Sequence, residues 1–85
     1  MRHVAGGRSY VVIPIRRIAA DALAFDACGV IMAHNHPSGD ATPSVRDLAF
    51  TRTLAAALRT LEVVLLDHLV LAGDRVTSLR AMGVV

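Results

Sequence analysis

The wholly apolar run Gly29–Ala33, spelled Gly-Val-Ile-Met-Ala, most limits what this chain can fold into. A short segment with no polar side chain on either face reads as a central strand buried on both sides, which calls for a sheet covered by helices. The rest of the chain supplies those elements. Pro14 suits the first position of a helix, and Ile15, Ile18, Ala19, Ala22 and Leu23 then share one face at helical spacing, with Arg16, Arg17 and Asp21 toward solvent. A second helix is expected from Val45 to about Leu61, with Leu48, Ala55, Leu58 and Leu61 inward. Val63–Leu71 reads as another buried strand. Ser9–Ile13 reads as a short strand after a Gly6-Gly7 turn, and Val76–Ser78 as a last one entered through an Asp74-Arg75 turn. The alternation defines an α/β architecture. With 85 residues the chain is read as one domain, 1–85, with little stability to spare. Its core is aliphatic, because the chain is 54% hydrophobic yet has no Trp, one Tyr and two Phe.

Chemistry concentrates where the central strand ends. His34-Asn35-His36-Pro37-Ser38-Gly39, followed by Ser44 and Asp47, gathers two imidazoles, a hydroxyl and a carboxylate. In an extended segment residues i and i+2 project from the same side, so His34 and His36 can close on one ion. Pro37 stops the strand, and the turn-rich stretch from Pro37 to Pro43 reads as a loop folded back over the site. Two nitrogens and a carboxylate oxygen are a donor set that zinc accepts, with the fourth tetrahedral position left to water. His34, His36 and Asp47 are therefore the candidate ligands. A plainer reading stands beside this one. Ser44-x-x-Asp47 ahead of a helical segment is also a capping box, so capping and ligation compete for Asp47.

Taken together, the pattern His-x-His-Pro, seven residues between His36 and Ser44 and two between Ser44 and Asp47 resembles the JAMM signature of the MPN metalloprotease-like domains. The His-Asn-His-Pro-Ser-Gly wording, Pro43-Ser44 before the helix, Leu66-Asp67-His68, and the closing Ser78-Leu79 and Met82-Gly83 are similar to the bacterial RadC proteins. The resemblance runs from about Gly6 to the C-terminus. It implies an MPN (cytidine-deaminase-like) α/β fold, a mixed sheet flanked by helices and here lacking the N-terminal strand. It also implies a zinc ion held by His34, His36 and Asp47, and a Ser44 hydroxyl that stabilises an oxyanion during hydrolysis of a peptide or isopeptide substrate. In the family a glutamate on a strand upstream of the histidines is the general base. Here the only glutamate is Glu62, which matches no such position, while Asp21 and Asp26 fall in or at the end of the first helix. The chain looks N-terminally short and is expected to be a weak or inactive hydrolase as it stands. MPN folds without the full residue set serve as binding or scaffold modules, which is the alternative, with an association to DNA repair carried only by the RadC resemblance. Arg17 matches a family arginine at the start of the first helix.

Other chemistries fail on residue type. Zinc nucleobase deaminases need His-x-Glu and a later Cys-x-x-Cys, whereas this chain has Asn35 and the single Cys28. The nucleases named for His-Asn-His spread those residues over a longer unit. Net charge is +2 and all nine basic residues are Arg, but only Arg16 and Arg17 are adjacent, so support for nucleic-acid binding is weak. Cys28 reads as a small buried apolar residue, and one cysteine excludes an internal disulfide, which fits a reducing cytoplasm. No signal peptide opens the chain, and Val63–Ala72 is too short to span a bilayer and is broken by Asp67-His68. A short sheet leaves an exposed edge, through which self-association is expected. Asp67 and His68 interrupt an apolar strand and must find partners there. His68 is read either as a core histidine satisfied by backbone or by Asp67, or as a group orienting a metal ligand. His3 receives no role.

Overall fold

The computed structural model describes Val4–Ala5 and residues 14–85. The expected Gly6-Gly7 turn and Ser9–Ile13 strand, and His3, lie outside the described residues. The elements are β1 (Val4–Ala5), α1 (Ile15–Ala24), β2 (Gly29–Asn35), α2 (Val45–Arg59), β3 (Val64–Ala72) and β4 (Arg75–Ser78). They build a four-stranded sheet in the order β1-β2-β3-β4. β1, β2 and β3 run parallel and β4 returns antiparallel, so the sheet is mixed. The architecture is α/β, and the apolar run Gly29–Ala33 lies in an interior strand, but it is buried on one face and not on both: Val30 and Met32 pack against residues of both helices, while Ile31 is 47% exposed.

β1 was not expected from the sequence, and the other elements depart slightly from their expected form. Pro14 is the N-cap of α1 and not its first helical residue: its backbone is extended, and its carbonyl accepts the Arg17 and Ile18 N–H groups. Ile18 and Ala22, one turn apart, are the fully buried residues of that helix. Leu23, expected inward, is 57% exposed, since one residue past Ala22 is a turn of roughly 100° away from the core. Arg17 stays in solvent and pairs with Asp21 at 3.6 Å.

In α2 the correction is larger. The buried stripe is Asp47, Thr51, Leu54 and Leu58, whereas of the four expected residues only Leu58 is fully buried and Leu61 lies exposed beyond the helix. The true stripe starts with two polar residues, which an apolar pattern cannot register. The core then joins Ile18 and Ala22 of α1, Leu54 and Leu58 of α2, and Val30, Met32, Val63 and Leu65 of the sheet region.

β2 and β3 are not in simple register. Val30 stands opposite Leu65, but Ile31 stands opposite Asp67, so Leu66 is an extra residue on β3. This bulge changes the alternation: Leu65 is buried, then His68, Val70 and Ala72 are buried, with Leu66 and Asp67 both turned from the helices between them. Gly29 accommodates the bulge, because a Cβ there would sit 2.7 Å from Leu66 Cδ1. Cys28, expected to be buried, is exposed, and its residue contributes through its carbonyl, which accepts the Val64 N–H at 2.9 Å. The turn into β4 is made by Gly73 at φ +60° with Asp74, and Arg75 already belongs to the strand. Among the described residues no helix is long and apolar enough to cross a membrane.

Candidate metal centre

Two elements bring the donors together. β2 carries His34 near its end and passes directly into His36, whose backbone N–H still bonds to the Leu71 carbonyl at 2.7 Å. The chain then turns through Pro37–Pro43, with Gly39 at φ +86° and its N–H returned to the His36 carbonyl, and α2 begins. Asp47 sits in the first turn of that helix. One nitrogen from each histidine and one carboxylate oxygen of Asp47 lie within 4.8 Å of one another.

The separate contacts show how each donor is aimed. Asp47 Oδ2 is 3.0 Å from His36 Nε2, and Asp47 Oδ1 is 3.5 Å from His34 Nδ1. The two imidazole rings meet edge to face with centroids 4.7 Å apart. His36 Nδ1 lies 2.9 Å from the Asp40 carbonyl, which can only accept, so that nitrogen carries a proton and Nε2 is left to face the carboxylate. A backbone carbonyl holding the far nitrogen in this way is the usual support of a ligating histidine. Asp40 went unnoticed in the sequence because its contribution is a main-chain oxygen in a loop of turn residues.

Capping and donation coexist on one carboxylate, because Oδ2 has a second lone pair for His36 beside the one that takes the cap, and Oδ1 is left to His34. Ser44 Oγ accepts the Asp47 N–H at 3.0 Å and Asp47 Oδ2 accepts the Ser44 N–H at 2.8 Å, a complete capping box, while both oxygens remain directed at the histidines. The box orients the carboxylate. Burial pushes the Asp47 pKa up, but the Ser44 N–H and hydroxyl and the two histidines outweigh it, and the group lies below its ordinary value. It is present as carboxylate, the form a cation needs.

Beneath these donors lies a buried polar pair that helical periodicity did not reveal. Thr51, one turn after Asp47, is 0% exposed and donates its hydroxyl to the Asp47 carbonyl at 2.6 Å. The same oxygen is 2.6 Å from Nδ1 of His68, which is 2% exposed and has its ring 5.8 Å from that of His34. His68 is thus satisfied neither by backbone nor by Asp67, since Asp67 turns away and accepts from the His68 N–H, the Ser78 hydroxyl and the Arg80 N–H. Burial first, and the His34 charge next, push the His68 pKa down, so its ring is neutral. The signal for Thr51 was its i+4 spacing from Asp47.

The remaining sequence candidates do not join the centre. Glu62, exposed at φ 60° beyond the far end of α2, lies past the rest of that helix from Asp47 in its first turn, roughly 20 Å away at the usual rise. Asp21 is paired on α1, and Asp26 is an exposed turn residue at φ 52°.

A mixed sheet that delivers two histidines from a central strand to a carboxylate at a helix start defines a domain of the JAB/MPN kind. The sequence matches the RadC-like JAB domain over residues 2–84, and the chain belongs to that family. It is 48% identical over 68 residues to the UPF0758 protein Bpet3149 of Bordetella petrii, covering 80% of this chain and 30% of that protein. It is 40% identical over 79 residues to the UPF0758 protein YfjY of Escherichia coli, covering 93% of this chain and 49% of that protein. A UPF0758 protein of Salinibacter ruber is 44% identical over 80 residues, 94% of this chain and 34% of that protein. The chain therefore spans about a third to a half of the length of these relatives.

Proposed function

We propose that this chain is a zinc-dependent amide hydrolase domain of the JAMM type, acting on peptide or isopeptide bonds. The observation that carries the reading is the approach of His34, His36 and Asp47 donor atoms within 4.8 Å of one another. The set fits zinc on chemistry: two imidazole nitrogens and one carboxylate oxygen leave a fourth position for water. His36 already faces a proton acceptor through Nε2, where a cation can replace the proton, and its Nδ1 is held by Asp40. Bound zinc would supply a water acidic enough to be hydroxide near neutral pH. The chain's own residues do the rest. Ser44, exposed at the helix start, offers its hydroxyl to the oxygen of an attacked carbonyl. Beside the loop that holds His36, Asp40, Thr42, Arg75, Val76 and Thr77 line an open depression, and in this reading the peptide runs there.

One feature favours a second reading, a non-catalytic binding module with the DNA-repair association of RadC proteins. Among the described residues no further carboxylate accompanies Asp47 at the donors, because the Asp40 carboxylate accepts the Thr42 N–H and Asp67 is engaged by Ser78 and Arg80. A missing positioned base costs roughly 10²–10⁴ in rate, so the chain alone is expected to hydrolyse slowly. Metal analysis of protein purified without chelator, beside His36→Ala, tests the central claim. About one zinc per chain is expected in the first and much less in the second; equal contents would remove the reading. Turnover of an isopeptide-linked substrate with and without zinc then separates the enzyme from the module.

A further inference from the structure

The three donors belong to two elements, so something must hold the end of β2 and the start of α2 at the right separation. Apolar contacts among Val30, Leu65, Leu54, Leu58 and their neighbours fix the layers lower down. Immediately below the donors the contact is polar. His68 is paired with Met32 across the β2–β3 ladder, two residues before His34, and Thr51 stands one helical turn after Asp47. The His68 Nδ1 to Thr51 Oγ1 contact, continued from Thr51 to the Asp47 carbonyl, joins sheet to helix at that level.

This arrangement is an expensive way to fill a core. His68 Nε2 is buried with no hydrogen-bond partner among the described residues, and an unpartnered buried polar atom costs free energy that a leucine would not. A pair kept for stability alone would leave no such atom. We propose that His68 and Thr51 are positioning residues that set the distance between Asp47 and the two histidines, at a cost in stability. The inference rests on the metal-centre reading above. The strut acts through the helix: Thr51 bonds to the main chain of Asp47, and the capping box transmits that position to the carboxylate.

Replacing both partners with apolar residues of similar shape separates a strut from ordinary packing, because such double replacements leave stability nearly unchanged or raise it. The test uses the 85-residue chain with cobalt(II) as the probe metal, read by its visible absorption and by titration. The variants are Thr51→Val, Thr51→Ser, His68→Leu and the double Thr51→Val/His68→Leu. The metal-free double variant is expected to melt no lower than the parent, while its cobalt affinity falls 10- to 100-fold, the usual range for losing a group that supports ligands. Thr51→Ser, which keeps the hydroxyl, is expected to retain the parent affinity and spectrum. The double variant should bind no more weakly than the weaker single one, as expected for two ends of one contact. Parent-like cobalt affinity and spectrum in Thr51→Val and in the double variant would overturn the strut alone. A metal-free melting temperature that drops in step with affinity would overturn it too, since that is what plain packing does. No cobalt uptake by the parent would overturn both the strut and the metal centre.

Discussion

At Ser44 one residue is asked to do two things that a substitution can separate. As an N-cap it is worth about 1 kcal/mol, so Ser44→Ala should lower the melting temperature by roughly 4–8 °C for a domain of this size. Ser44→Asp keeps an acceptor for the Asp47 N–H and should melt near the parent. If the hydroxyl also donates to an oxyanion, both variants lose roughly 10²–10³ in kcat wherever turnover is measurable. Full turnover by Ser44→Asp would leave Ser44 a cap only. Asp67 allows a test without metal. Burial raises its pKa, but the Ser78 hydroxyl, the Arg80 and His68 N–H groups and the Arg80 charge outweigh it, and the net shift is downward. A carboxyl lowered in the folded state stabilises the fold above its unfolded pKa of about 3.9, and that contribution fades as pH falls through the folded value. Urea unfolding of the parent and Asp67→Asn should therefore differ most near pH 7 and converge below about pH 4. A gap that stays constant with pH would mean that Asp67 acts only by shape.

On the scale of elements, the bulge at Leu66 decides which of two adjacent polar residues enters the core. A regular strand that buries Leu65 would also turn Asp67 inward and His68 outward, because successive side chains alternate. The extra residue reverses this and places His68 against Thr51 and Asp67 against Ser78 and Arg80. Deleting Leu66 should therefore be tolerated, since Leu65, Asp67 and His68 would then read in, out, in along a regular ladder. Deleting Leu69 should not be, because it turns Val70 and Ala72 away from the core they now fill. Circular dichroism melts of the two deletions would decide: equal loss of structure in both would contradict the role assigned to the bulge. The positions of β2 and β3 were legible in the sequence from their apolar runs, but not their burial, since Ile31, Val64 and Leu66 are exposed on the face away from the helices. Which face of β3 holds His68 was not legible either, since period-2 reasoning has no term for an inserted residue. The inner face of α2 was misplaced for a related reason: Asp47 and Thr51 open its buried stripe, and hydrophobicity alone assigns both to solvent. The donors were legible because His34, His36 and Asp47 are close in sequence as well as in space.

For the whole molecule, the proposed metal centre would make metal and fold one problem. A chain of 85 residues buries a modest fraction of its surface, and here part of the buried volume goes to Asp47, Thr51 and His68 instead of to apolar side chains. The candidate donors also come from both layers, His34 from β2, His36 from the residue just after it and Asp47 from the helix, so a cation held by all three would fasten the layers to each other. A ligand that binds only the folded chain adds about 2.7 kcal/mol when present at 100 times its dissociation constant. At roughly 4–8 °C per kcal/mol for a domain of this size, zinc in such excess should raise the melting temperature by roughly 10–20 °C. Chelator should reverse the rise. His36→Ala, which keeps the capping box and the core, should melt at nearly the same temperature with or without zinc. The comparison also bears on the proposed self-association through β4, which among the described residues has no strand on its outer side and where Val76 is 61% exposed. A dimer formed at that edge would make the melting temperature depend on protein concentration and not on zinc, and Val76→Lys would abolish that dependence. Measured across a dilution series, a zinc-dependent rise that is the same at every protein concentration in Val76→Lys assigns the stabilisation to the metal centre. A rise that vanishes with the edge substitution would overturn that assignment and make zinc binding and association between chains one event.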